Sequence, residues 1–239
     1  MVRIRALDGI RGIAILLVLL WHYIACQAET DNGSLLAYFT RLLALTWSGV
    51  DLFFVLSGFL IIGILLDAKG SELYFKTFYI RRACRIIPLY FLMLCLFIII
   101  PRTGLTSNEW LFAKPLPLIS YFTFTQNYFM HCKGFGAHWL GVTWSLAVEE
   151  QFYLLIPILV WLLTKKQLLF VFGCLICMAP IFRLVFGNLG AYVFPFARAD
   201  SILMGGLLAL ALRSPNIQAI LTKNYKYIVG AFFIFLIGT

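Results

Sequence analysis

Residues 9–24 read GIRGIAILLVLLWHYI, an apolar run that carries Arg11 and His22. Such a run predicts a membrane-spanning helix, which needs about 20 mostly apolar residues. Ionisable side chains are costly in hydrocarbon and usually mark a function there. The spacing of 22 − 11 = 11 residues puts Arg11 and His22 on one helix face, roughly 16 Å apart along the axis. Their positions alone leave a second interpretation open, in which Arg11 extends to the lipid headgroups at one membrane face and His22 extends to the interface at the other face.

The composition is that of a polytopic membrane protein. Of 239 residues, 62% are hydrophobic and 12% charged, and the mean hydropathy is +0.95. The net charge of +9 comes from cations in short loops beside apolar runs, which is the positive-inside pattern and argues against a nucleic-acid partner. We therefore predict an all-α helical bundle of about seven spans, at 9–28, 46–66, 86–101, 144–163, 167–187, 200–212 and 226–239.

The distribution of lysine and arginine predicts the orientation. Most of the 19 cations fall on one side of the membrane if the interrupted apolar run 116–130 does not cross. We therefore expect a cytoplasmic N-terminus and an outer, partly re-entrant loop over 102–143. The last apolar run stops at Thr239 without a flanking anchor, so we expect a single domain, 1–239, that lacks C-terminal spans.

Several ionisable side chains fall at similar depth near the predicted outer face. Since buried charges pair or line wet cavities, we predict that they share one polar cavity, although residues at span ends can also be merely interfacial. The set is His22, Asp51, Glu149, Glu150, Arg198 and Asp200.

A second, basic group is predicted near the cytoplasmic face. Arg82 and Arg85 are three residues apart and share a helix face. Guanidinium groups bind phosphate bidentately, so these two residues and Arg11 could form the entrance for a phosphorylated ligand. Arginines at a cytoplasmic span end are also ordinary topology anchors.

Five blocks of the chain, taken in order, resemble the membrane-bound acyltransferase 3 family, which includes O-acetyltransferases of bacterial surface polysaccharides. The blocks are RALDGIRGIAILLVLLWHY (5–23), GVDLFFVLSGFLI (49–61), FYIRRACRIIPLYF (78–91), WSLAVEEQFYLLIP (144–157) and ARADSILMGGLLA (197–209). The resemblance implies transfer of an acyl group, acetyl above all, from cytoplasmic acyl-CoA to a hydroxyl of an extracytoplasmic carbohydrate or lipid-linked glycan. The resemblance also implies a place in the bacterial inner membrane. Family members usually have about ten spans, more than are predicted here.

The resemblance also suggests residue roles. The family's Arg-x10-His pattern falls on Arg11 and His22, and its Arg-x-x-Arg pattern on Arg82 and Arg85. His22 would serve as the base for the hydroxyl or as a brief acyl carrier, and Asp51, Glu149 or Glu150 would orient its ring. The three arginines would hold the coenzyme A phosphates. We expect the acceptor to be bound by Trp144, Ser145, Arg198 and Asp200.

The expected partners are membrane lipid, acyl-CoA as co-substrate and the glycan acceptor. No metal is expected, since the Cys174-x-x-Cys177 pair lies on an apolar helix without partner histidines or acids. Two alternatives stay open. Intramembrane charges also build transporters and proton relays, although the chain shows no internal repeat of the kind that transporters often carry. A non-catalytic, truncated relative is the other alternative.

Overall fold

The computed structural model describes residues 5–25, 43, 45–104 and 108–238, and every regular element in these ranges is helical. This confirms the all-α prediction. The helices are α1 (Arg5–Leu20, continued by a π-helical turn over Trp21–Ala25), α2 (Gly49–Ala68), α3 (Tyr74–Thr103), α4 (Leu118–Phe122), α5 (Gln126–Lys133), α6 (His138–Gly141), α7 (Trp144–Leu162), α8 (Lys165–Val193), α9 (Ala199–Ala211) and α10 (Pro215–Gly238). Short 3₁₀ turns cover Leu45–Ser48, Glu109–Leu111 and Phe196–Arg198.

Five described segments are long and apolar enough to cross a membrane: Ala6–Ile24, Leu45–Ala68, Tyr74–Thr103, His138–Leu162 and Lys165–Val193. The predicted total of about seven spans is not confirmed. The predicted span 200–212 corresponds to α9, whose 13 residues extend only about 20 Å, less than a hydrocarbon core of about 30 Å. The predicted span 226–239 falls on α10, whose side chains beyond Tyr227 lie outside the described part.

Helices α2 and α9 run parallel and in register, with their closest approach at two glycines. A Cβ added to Gly58 would overlap the carbonyl of Ile202, and one added to Gly205 would overlap the carbonyl of Val55. Glycine at a crossing lets two helix backbones approach closely. The α2–α9 pair packs against α8, and α1 lies along α2, so this pair forms the centre of the bundle.

Enlarging Gly205 should therefore disrupt the bundle. We expect Gly205→Val to lower the free energy of unfolding by about 1–3 kcal/mol, since the added carbons meet backbone that has no room to shift. Thermal unfolding of the purified protein in detergent measures the effect. Gly173→Val on α8 is the matched control, because a Cβ there has nothing within 4 Å. Equal stability of the two variants would contradict the close contact.

Helix α8 is broken at Gly187, whose φ of 57° and ψ of −177° lie outside the helical region and are accessible to glycine without strain. The residues after the break turn back toward the start of α9. Arg183, before the break, donates from Nε to the carbonyl of Ala197 at 2.8 Å and forms an ion pair with Asp200. The break therefore brings Tyr192 and the start of α9 to the end of the bundle where α1 ends and α2 begins.

The segment between α3 and α7 is attached to the bundle by buried amides. Asn127 donates to the carbonyl of Val193 at 3.2 Å, and Gln126 donates to the carbonyl of Thr143 at 3.2 Å. Gln151 on α7 donates to the carbonyl of Phe124 at 2.6 Å. These contacts hold α5 against α7 and α8, so α5 and α6 cover one end of the bundle.

Candidate active site

A cavity of about 1570 Å³ opens where α1 ends and where α2, α7 and α9 begin. Its lining includes five of the residues that the sequence singled out. The structure therefore brings together His22, Asp51, Trp144, Arg198 and Asp200, which come from four different helices and the turns that flank them.

Arg198 is buried in the wall of this cavity, with an exposed fraction of 7%. Its Nη1 lies 3.2 Å from Oδ1 of Asp51, and its Nε donates to the carbonyl of Tyr192 at 3.0 Å. The guanidinium carbon stands 4.6 Å from the ring centre of Tyr192, 5.7 Å from that of Trp144 and 5.8 Å from that of Trp47. A cation among three aromatic rings is stabilised by their π faces, so Arg198 organises the aromatic wall.

The two aspartates of the cavity are each bound by an arginine. Asp51 accepts from Arg198 and also from the hydroxyl of Ser201 at 2.8 Å. Asp200 pairs with Arg183 and accepts from the backbone N–H of Ser201 at 2.9 Å. These ion pairs connect α2, α8 and α9 at the cavity and place its charges at fixed positions.

Removing the Arg198 charge should destabilise this wall. We expect Arg198→Met to lower the free energy of unfolding by about 2 kcal/mol. This loss is smaller than that expected on breaking a fully buried ion pair, because the Asp51 side chain is 26% exposed. The double variant with Asp51→Asn should recover part of the loss, since no unpaired carboxylate remains. Thermal unfolding of the four proteins of this cycle measures the coupling, and purely additive losses would contradict it.

His22 lies in the π-helical turn at the end of α1, a local geometry often found at functional sites. Its Nδ1 is 2.8 Å from the carbonyl of Val18. A carbonyl can only accept, so Nδ1 carries the proton and Nε2 is the basic nitrogen of the neutral ring. The contact that fixes the tautomer is therefore to the helix backbone, whereas Asp51 is bound by Arg198 and Ser201.

Glu149 and Glu150 do not line the His22 cavity, so the prediction of one shared cavity requires correction. Glu149 is five residues past Trp144 on α7, which places it about 7 Å deeper and about 140° further round the helix. Counting residues from a span end predicts depth but not the direction in which a side chain points. The Glu149 side chain consequently turns away from the cavity, and the residue is 6% exposed.

Glu149 instead belongs to an inner cluster, defined here as Ser57, Arg82, Glu149 and Tyr153. Its carboxyl interacts with the hydroxyls of Ser57 and Tyr153 and with the guanidinium group of Arg82. The two hydroxyls are 2.5 Å apart, and the Arg82 guanidinium carbon lies 5.0 Å from the Tyr153 ring centre. The sequence signal for this cluster is the position of Tyr153, one helical turn after Glu149, and the predicted site did not include it.

A second cavity, of about 300 Å³, lies at the opposite end of the bundle and is lined by Arg81, Arg82 and Arg85. The structure thus brings Arg82 and Arg85 together as the sequence predicted. Arg11 is not part of this lining, but its charge acts on both Arg82 and Glu149. The cations therefore lie at the end of the bundle opposite the His22 cavity.

Ser145 is the one expected acceptor residue that lies outside the His22 cavity, because its hydroxyl turns back to the carbonyl of Val142 at 3.5 Å. Trp47, Tyr192 and Ser201 also line this cavity, although no sequence pattern points to them. Within the described ranges, no group of three or more His, Cys, Asp or Glu side chains could hold a metal ion.

The arrangement is that of a helical protein with a histidine in an aromatic cavity and arginines at the opposite end. The chain belongs to the acyltransferase 3 family, since the family model described as "Acyltransferase domain" matches residues 4–239. No solved structure matches the chain significantly.

Two relatives illustrate the similarity. The chain is 34% identical over 163 residues to "Putative peptidoglycan O-acetyltransferase YrhL" of Bacillus subtilis (strain 168), an alignment that covers 64% of this chain and 23% of the relative. It is 26% identical over 220 residues to "O-acetyltransferase OatA" of Staphylococcus aureus (strain NCTC 8325 / PS 47), an alignment that covers 85% of this chain and 34% of the relative. The chain thus spans about a quarter to a third of the length of these relatives.

Proposed function

We propose that the protein is an O-acyltransferase that moves an acyl group, acetyl above all, from acyl-CoA to a hydroxyl of a carbohydrate or lipid-linked glycan. The observation that carries the proposal is the contact of His22 Nδ1 with the Val18 carbonyl, which leaves Nε2 as the basic nitrogen of a ring that lines a large aromatic cavity. The family supports acyl transfer, and the names of both relatives specify O-acetylation.

In the proposed reaction, Nε2 of His22 takes the proton of the acceptor hydroxyl as its oxygen attacks the thioester carbonyl. The carbon–sulfur bond then breaks, and the coenzyme leaves as the thiol once it takes up that proton. Transfer through an acyl-imidazole on His22 is the covalent variant of the same chemistry. The Val18 carbonyl holds the ring in the required tautomer, so no carboxylate is needed for that purpose.

The acceptor would lie in the His22 cavity. Its wall presents the faces of Trp144 and Tyr192 together with Asp200, and such a mixture of flat apolar faces and polar groups suits a sugar ring. We assign Asp51 and Arg198 to shaping this wall, because they bind each other and Arg198 holds the aromatic rings. Ser145 has no role in this proposal.

The donor would enter at the opposite end. Arg82 and Arg85 line the small cavity there and would bind the phosphates of acyl-CoA, with Arg11 adding positive charge. The charge distribution supports a cytoplasmic position for this end and for the N-terminus, with the chain spanning the bacterial inner membrane. The roughly 16 Å between Arg11 and His22 suits an extended cofactor arm.

The test is transfer of label from radiolabelled acetyl-CoA, by the purified protein in detergent, to an extract of bacterial surface glycans that includes peptidoglycan fragments. We expect base-labile label in the glycan fraction, as an O-acyl ester requires. Label that resists mild base would contradict O-acylation, and folded protein that transfers no label to any fraction would contradict the proposed activity.

A further inference from the structure

The inner cluster lies between the two cavities. Arg82 lines the small cavity and stands over the ring of Tyr153. The Tyr153 hydroxyl contacts that of Ser57, and Glu149 lies about 7 Å along α7 past Trp144, which lines the His22 cavity. A donor whose phosphates bind at the arginines and whose thioester reaches His22 would therefore extend past the depth of this cluster.

Two acceptor atoms in this region have no hydrogen-bond partner among the described residues. They are Oε1 of Glu149 and Oε1 of Glu150, both buried. Buried polar atoms in folded proteins nearly always have a partner. An unpartnered carboxylate oxygen on the route between two proposed subsites therefore points to a ligand that supplies an N–H or O–H group.

We propose that Glu149, with Glu150 beside it, binds the amide N–H groups of the linear arm of acyl-CoA. This inference rests on the proposed function, since it takes acyl-CoA as the donor. The arm carries two secondary amides, each with one N–H donor, between the phosphates and the sulfur. A carboxylate forms strong, charge-assisted hydrogen bonds with such donors. Ser57 and Tyr153 are buried, which leaves little room beside them. The arm would therefore displace the contact between their hydroxyls as it enters.

The arm can be measured separately from the phosphates by comparing two ligands that undergo no turnover. Adenosine 3′,5′-bisphosphate carries phosphates without the arm, whereas coenzyme A carries both. In titrations of the purified protein, we expect Glu149→Met to raise the Kd of coenzyme A about tenfold and to leave that of the bisphosphate unchanged. Glu149→Gln keeps a carbonyl acceptor and should therefore weaken coenzyme A binding less than Glu149→Met does. Glu109→Gln, which removes an exposed carboxylate, is the control and should change neither Kd.

A second measurement needs no variant. A coenzyme A analogue in which both arm amides are replaced by esters lacks the N–H donors, and it should bind the wild-type protein about tenfold more weakly than coenzyme A. Equal binding of the two ligands would overturn the inference and leave the proposed function intact. If the wild-type protein binds neither coenzyme A nor the bisphosphate, the donor itself is wrong and both proposals fail.

Discussion

Replacement of His22 by alanine is expected to lower kcat for acetyl transfer by about 10²–10⁴-fold, the range that a positioned general base contributes. The KM for acetyl-CoA should change little, because His22 is the proposed base and the proposed phosphate site lies at the other end of the bundle. The measurement is the initial rate with labelled acetyl-CoA at several donor concentrations.

His131→Gln is the matched control for this variant. His131 is an exposed histidine whose ring packs on Phe194, and it has no role in the proposed reaction. The control should retain kcat. If His22→Ala instead kept kcat and raised KM, the histidine would be a binding residue and the role assigned to Nε2 would be wrong.

Replacement of Arg82 by glutamine is expected to raise the KM for acetyl-CoA about 10- to 100-fold while kcat changes by no more than a few fold. The physical reason is the loss of a charge-assisted, bidentate contact with phosphate. Arg82→Lys should give an intermediate KM, since an ammonium group keeps the charge without the two-pronged geometry.

Lys76→Gln is the control for the effect of charge alone, because Lys76 is an exposed cation on the same helix, six residues earlier. The KM of the Lys76→Gln variant for acetyl-CoA should stay close to that of the wild-type protein. A collapse of kcat in Arg82→Gln at unchanged KM would place Arg82 at the reacting atoms and contradict its assignment to the phosphates.

The sequence predicts depth in a bundle better than it predicts rotation. Asp51 and Arg198 begin their segments and were expected at one level with His22, and the structure places all three on one cavity. Glu149 was expected there as well, but the rotation of α7 turns it toward Ser57 and Arg82. That rotation depends on packing between helices distant in sequence, which residue counting does not include.

The break near the end of α8 is also not predictable from the sequence pattern. Residues 167–187 form an apolar run, which predicts a span but not the turn that follows it. The break at Gly187 brings Tyr192 beside Arg198. If α8 continued straight, Tyr192 would lie far from Arg198 and would not be part of the site. The predicted span 200–212 exists as a helix that packs against α2 and α8, and its crossing of the membrane is not confirmed.

The pairing of α2 and α9 has a mechanical consequence. Two ion pairs, Asp51 with Arg198 and Asp67 with Arg213, join these helices near both ends, and the glycine contact at Gly205 lies between them. Sliding one helix along the other would separate both ion pairs and force the backbones together at Gly205, so we expect the two helices to move as one body. Asp51 and Asp67 are sixteen residues apart on α2, about 24 Å at the helical rise. We therefore expect the α2–α9 pair to hold the two ends of the bundle at a fixed spacing, and a motion that admits a long substrate to involve the helices around the pair.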